Sequence, residues 1–160
     1  MRPYLNRDQI KARIYRDFMV RLCKDTQVAL TITFRESALP DSVVSASALC
    51  EKTTQHLLRK INKRVFRHGV RRKDFRIASV AVLEAGGRGG RLHAHLALGL
   101  PPSYSVPDFL RLVTREIKSC RQIARQVDIQ PINGGGWFGY LAKGGSETLL
   151  LSCCREAKSS

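Results

Sequence analysis

The sequence predicts an α+β fold: a four-stranded antiparallel sheet with helices on one face and the functional residues on the other. Three observations carry this. The β-branched run Gln27–Phe34 reads as a strand, and the apolar run within Gly90–Pro101, bounded by Gly and Pro, as a buried strand, each alternating between two faces. Residues 45–66 and 108–119 repeat apolar side chains at helical spacing. The segments follow one another as β-α-β-β-α-β, the ferredoxin-like or RRM-like split pattern, and its two middle strands are joined by the glycine-dense stretch 85–90, suited to a hairpin.

In chain order, residues 7–24 form a basic amphipathic helix. Ile10, Ile14, Phe18 and Leu22 are its apolar stripe, expected to pack, and the interspersed Lys and Arg are its solvated side. In the first strand Leu30, Ile32 and Phe34 face the core, and Thr31 and Thr33 face away. A loop containing Pro40 leads to the helix 45–66, with Leu49, Leu57, Leu58, Ile61 and Val65 inward and a strongly basic far end. Residues 70–73 lead into the second strand, 76–84, which ends in Glu84. After the histidine-bearing third strand, a Pro-rich loop precedes the helix 108–119, which buries Phe109, Leu112, Val113 and Ile117. Residues 125–130 are the fourth strand, 137–143 a short helix between glycines, 147–154 an apolar last strand or tail, and 155–160 a frayed end. The expected organisation is one domain over 1–160: the basic N-terminal helix (1–25), a motif-bearing core (27–145) and the tail.

Charge narrows the partner. There are 28 Lys and Arg against 13 Asp and Glu, a net +15, which points to a polyanion, most simply nucleic acid. Arg59, Lys60, Lys63 and Arg64 are basic residues expected to follow a phosphate backbone, although cations also suit a helix C-terminus. No apolar run reaches membrane-spanning length and the first residues lack a signal-peptide core, so no membrane partner is expected and the location read is cytoplasmic. The five cysteines include no C-x-x-C pair and are read as reduced, buried thiols.

The chemistry centres on His93-Ala94-His95. Residues two apart on a strand share a face, so both imidazoles stand side by side, opposite the apolar Leu92, Ala94, Leu96 and Leu98. If the hairpin closes with Glu84 opposite Arg91 or His93, cross-strand parity puts the carboxylate on the same face. A Glu/His/His set with open positions suits a divalent ion such as Mn²⁺ or Mg²⁺ better than a closed zinc site. Tyr140 and Lys143 lie three residues apart, on one side of the short helix, which can aim the phenol at that face. His56 and His68 are read as ordinary surface histidines.

Taken together, Leu30-Thr31-Ile32-Thr33-Phe34, then Glu84 with His93-Ala94-His95, then Tyr140-Leu141-Ala142-Lys143 resemble the three motifs of HUH-superfamily endonucleases, and more specifically the rolling-circle replication initiators (Rep) of small replicons and single-stranded DNA phages. The resemblance spans roughly residues 27–145. It implies a single-tyrosine enzyme that nicks and joins single-stranded DNA with a divalent metal on Glu84, His93 and His95. Tyr140 would be the nucleophile, forming a 5′-phosphotyrosine link, and Lys143 its helper. Thr31, Thr33, Arg88, Arg91 and Trp137 would join the basic helix on DNA. Implied partners are single-stranded DNA or an origin hairpin, with a host helicase and polymerase, since no helicase domain is attached. A tyrosine after the histidines, with Glu84 in the third-ligand place, separates this order from conjugative relaxases, for which Tyr4 or Tyr15 would be the candidate nucleophile; Tyr104 is a further competitor. A second tyrosine four residues away is absent, because positions 136 and 144 are glycine. Two alternatives stand beside this reading: a transposase of the same superfamily, and a non-catalytic basic nucleic-acid binder on an RRM-like sheet.

Overall fold

The computed structural model describes residues 6–86, 90–134 and 136–159. Two residues named above, Tyr4 and Arg88, lie outside them. The elements are α1 (Arg7–Leu22), β1 (Val28–Phe34), α2 (Val43–Phe66), α3 (Gly69–Lys73), β2 (Ser79–Ala85), β3 (Leu92–Leu98), α4 (Val106–Lys118), β4 (Ile123–Pro131) and α5 (Gly136–Ala142). The four strands form an antiparallel sheet in the order β2-β3-β1-β4, as expected for the split β-α-β-β-α-β pattern.

Local chemistry sets the boundaries. Asn6 and Gln9 form a reciprocal capping box at the start of α1. The Ser42 hydroxyl accepts from the Ser45 amide and starts α2 two residues earlier than the apolar pattern indicates. Ser105 caps α4, and Pro107 sits in its first turn, where no amide donor is missed. At the neck of the β2–β3 hairpin a side chain on Gly90 would collide with the backbone of Gly86, so glycine is required there.

One face of the sheet is a continuous apolar layer. Val28, Leu30, Ile32 and Phe34 of β1 and Ala94, Leu96 and Leu98 of β3 pack against Leu57 and Ile61 of α2 and Phe109, Val113 and Ile117 of α4. The other face was expected to be open. It is partly roofed: Met19 and Cys23, at the end of α1, and Leu141 of α5 bury Val80, Val82 and Ala97. The C-terminal end of α1 therefore packs through Tyr15, Met19, Leu22 and Cys23; of the stripe read from the sequence only its last member, Leu22, takes part. Ile10, Ile14 and Phe18 are solvent-exposed, Ile14 at 62%. Among the described residues the helix meets the domain from Tyr15 onward, so most of the longest apolar stripe is not on the packing face.

Two further expectations change at the ends of β2. Residues 70–73, read as a lead into the strand, close into α3. The tail is neither a regular strand nor frayed. Its Leu150 amide bonds the Ala81 carbonyl, Ser79 and Arg155 exchange backbone hydrogen bonds, and so do Arg76 and Lys158. β2 is an edge strand with unpaired backbone groups, and the tail satisfies them. Leu150 and Cys153 are buried as a result.

Candidate active site

The sheet register decides the site. Glu84 of β2 pairs with His93 of β3, and His93 and His95 pair with Thr33 and Thr31 of β1. All five side chains therefore belong to the face opposite α2 and α4, as alternation predicts. One carboxylate oxygen is the hub. Glu84 Oε2 lies 3.3 Å from His95 Nε2, 3.5 Å from His93 Nε2 and 3.5 Å from Lys143 Nζ. α5 lowers its Tyr140 onto the same point, with the phenol oxygen 3.2 Å from His95 Nε2.

The outer nitrogens of the imidazoles are held as metal-binding histidines require. His93 Nδ1 lies 3.0 Å from the carbonyl oxygen of Arg91. A carbonyl only accepts, so Nδ1 carries the proton and, in the neutral ring, Nε2 offers a lone pair. His95 Nδ1 is 2.9 Å from Thr31 Oγ1, a hydroxyl that can serve either tautomer. Burial, followed by the neighbouring His93, lowers the His95 pKa and favours its neutral form. A Glu84 oxygen and two Nε2 atoms thus converge as acceptors within 4.8 Å of one another. Acceptors do not attract each other, so a cation between them fits this donor set, and its mixed oxygen and nitrogen character suits a hard or borderline divalent ion.

Tyr140 is itself held on several sides. Trp137, one turn earlier, stacks on its ring with centroids 5.3 Å apart at 17°. The Lys143 ammonium sits 3.9 Å from the ring centroid, and the His95 ring meets Tyr140 edge-on at 4.9 Å. Burial works against the charge on Lys143, but contacts with Tyr140 and Glu84 outweigh it and push the pKa up, so the lysine is a lasting cation. Trp137 also meets His95 edge-on at 5.7 Å, and its Nε1 is buried with no hydrogen-bond partner among the described residues.

No protein-family model and no curated protein matches the chain. Among solved structures it is similar to a REP-associated tyrosine transposase bound to a REP hairpin, at 11% sequence identity and a TM-score of 0.35. The match covers 72% of this chain and 61% of that one, so the chain spans about three fifths of the length of the structure it matches.

The structure brings together Glu84, His93, His95, Tyr140, Lys143, Trp137 and Thr31. It leaves other candidates apart. Thr33 shares the face but makes no side-chain hydrogen bond among the described residues, and Arg91 reaches Glu36 at 3.5 Å. Arg59, Lys60, Lys63 and Arg64 lie on α2, behind the sheet. Lys60 and Arg64 there pair with Glu116, a buried carboxylate that Arg115 also approaches. Tyr104 packs edge-on against Phe109, in the layer behind the sheet. Tyr15 packs under α5, its hydroxyl buried with no partner among the described residues and its pKa raised by burial. The role of Thr31 as partner of His95 was not legible beforehand; cross-strand pairing of β1 with β3 is the signal that gives it.

Proposed function

We propose that this chain is a metal-dependent enzyme of the HUH type that nicks and joins single-stranded DNA through Tyr140, and that its role is to initiate rolling-circle replication. The observation that carries the reading is the meeting of three distant sequence segments: Glu84, His93 and His95, and Tyr140 with Lys143 gather around one carboxylate oxygen. A non-catalytic nucleic-acid binder has no use for a phenol held against one of two imidazoles that share a carboxylate.

Glu84, His93 and His95 would hold a divalent ion, which when bound would supply a Lewis acid for the scissile phosphate. Tyr140 Oη attacks phosphorus, the bond to the 3′ oxygen breaks, and a 5′-phosphotyrosine and a free 3′-OH result. A free phenol ionises near pH ~10, so it requires help to become a nucleophile. Lys143 gives that help as a fixed positive charge over the ring. Trp137 and Lys143 restrict the phenol to one orientation, which lowers the entropic part of the barrier. Joining is the reverse attack, by a 3′-OH on the phosphotyrosine.

The test is incubation of the protein with labelled single-stranded DNA and Mn²⁺. A denaturation-resistant protein–DNA adduct is expected, mapping to the peptide that contains Tyr140. Tyr140→Phe loses the adduct and cleavage but keeps DNA binding. Nicking at full rate by Tyr140→Phe, or an adduct on another peptide, overturns the assignment. Transposition differs in what is joined: recovery of an element moved to a new target, in place of a primed circle, would assign the same chemistry to a transposase.

A further inference from the structure

The strongest concentration of charge in the chain is away from the site. Between residues 59 and 73 there are eight Lys or Arg and no Asp or Glu. Lys60 and Arg64 serve Glu116. The side chains of Arg59, Lys63, Arg67, Arg71, Arg72 and Lys73 are exposed, and among the described residues none of them pairs with a carboxylate. They project from the C-terminal part of α2 and from α3.

The topology separates this surface from Tyr140 twice over. α2 packs on the face of the sheet opposite α5. Asn62 of α2 also accepts from the Ile77 amide, just before β2, which places the basic end beside the start of that strand. Glu84 is at the other end of β2. Seven residues of extended chain from Ile77 to Glu84 span roughly 23 Å. A short strand lying on Tyr140 does not reach these cations.

The backbone points the same way. Arg67, between α2 and α3, has φ 47° and ψ −114°, a conformation that favours glycine. Arg67 thus holds a guanidinium where glycine would be less strained, and backbone strain of this kind clusters at functional sites.

We propose that the C-terminal end of α2 and α3 together bind the phosphate backbone of double-helical DNA, as a surface separate from the cleavage site. A lipid surface fits less well, because no large hydrophobic residue between 59 and 73 is exposed to insert into it. A single strand also fits less well. Such sites stack bases on aromatic rings, and the two aromatics here, Phe66 and Phe75, are half-buried and pack edge-on against each other at 5.9 Å. A duplex keeps its bases stacked internally and offers its phosphates. The choice of DNA over RNA rests on the DNA chemistry proposed for Tyr140; the surface itself does not.

The experiment is fluorescence anisotropy on the full chain with a 20-base-pair DNA duplex across a salt series. Its comparisons are an RNA duplex of the same length, a short single-stranded DNA and phosphatidylserine vesicles. The triple variant Arg71→Gln, Arg72→Gln, Lys73→Gln should weaken duplex binding roughly 10- to 100-fold and lower the salt slope by about 2–3, with little change for the short single strand. Arg67→Gly should weaken it by a smaller factor without lowering Tm, which separates charge loss from misfolding. Unchanged duplex affinity in the triple variant overturns the proposal, as does an equal loss for the short single strand. Preference for the RNA duplex or for vesicles also overturns it. The readout is binding, so a chain that never forms the Tyr140 adduct refutes the cleavage reading and leaves the phosphate surface still tested.

Discussion

Thr31→Val separates a metal site from a chance histidine pair. The change keeps the β-branched shape and removes one hydroxyl, the one 2.9 Å from His95 Nδ1. His95 is 5% exposed, so water cannot replace the lost partner. With Nε2 given to a metal, Nδ1 must carry the proton, and in the variant that N–H is buried without an acceptor. An unsatisfied buried donor costs about 1–3 kcal/mol. At 1.4 kcal/mol per factor of ten, that is roughly a 5- to 150-fold loss of metal affinity, the range seen when outer partners of metal histidines are removed. The assay is titration with Mn²⁺, followed by calorimetry and by quenching of the only tryptophan, Trp137, whose ring lies 5.7 Å from that of His95. Thr33→Val is the matched control. It lies on the same strand as Thr31 and pairs with His93 of β3, but among the described residues its hydroxyl makes no side-chain hydrogen bond, so affinity should stay within about twofold. Equal Mn²⁺ affinity in wild type and Thr31→Val, with both folded, would refute the account of how His95 is oriented. An equal loss in both variants would show that sheet packing, not the hydroxyl, was responsible.

Two more outcomes follow from burial. Met19→Ala should cost about 2–5 kcal/mol in urea unfolding, because Met19 of α1 is fully buried against Val80, Val82, Ala97 and Leu141. Ile14→Ala, five residues earlier on the exposed side, should cost under about 0.5 kcal/mol; the reverse ranking would mean that α1 packs through its long apolar stripe. The thiols should be nearly inert in the folded protein. Burial pushes Cys23 and Cys153 up to about 12 and Cys50 to about 11, so at pH 8 their thiolate fraction is minimal. Iodoacetamide should modify these three only after denaturation, and rapid native labelling of Cys23, Cys50 or Cys153, read by peptide mass, would contradict their placement.

Strand and helix identity was legible because each segment carries its own period. Thr31 and Thr33, His93 and His95, and the helix stripes of 45–66 and 108–119 could be sorted onto faces by counting residues alone. The same counting put Glu84 opposite Arg91 or His93, and the sheet selects His93. Capping shifted only boundaries, as at Ser42 and Ser105. Three features were not local and could not be counted. The packing side of α1 depends on which of its turns touches the domain, and Met19 and Cys23 win because only the last turns meet the sheet. The order of the tail depends on β2 being an edge strand whose backbone groups need partners. The separation of the basic α2 end from Tyr140 depends on α2 and α5 lying on opposite faces of the sheet. The sequence by itself determined which residues are candidates for chemistry and which face of its own strand each occupies, since side-chain alternation is a property of the backbone. Tertiary structure alone decided that Glu84, His93, His95, Tyr140 and Lys143 meet within a few ångströms, because strand register and the docking of α5 are set by packing between residues far apart in the chain.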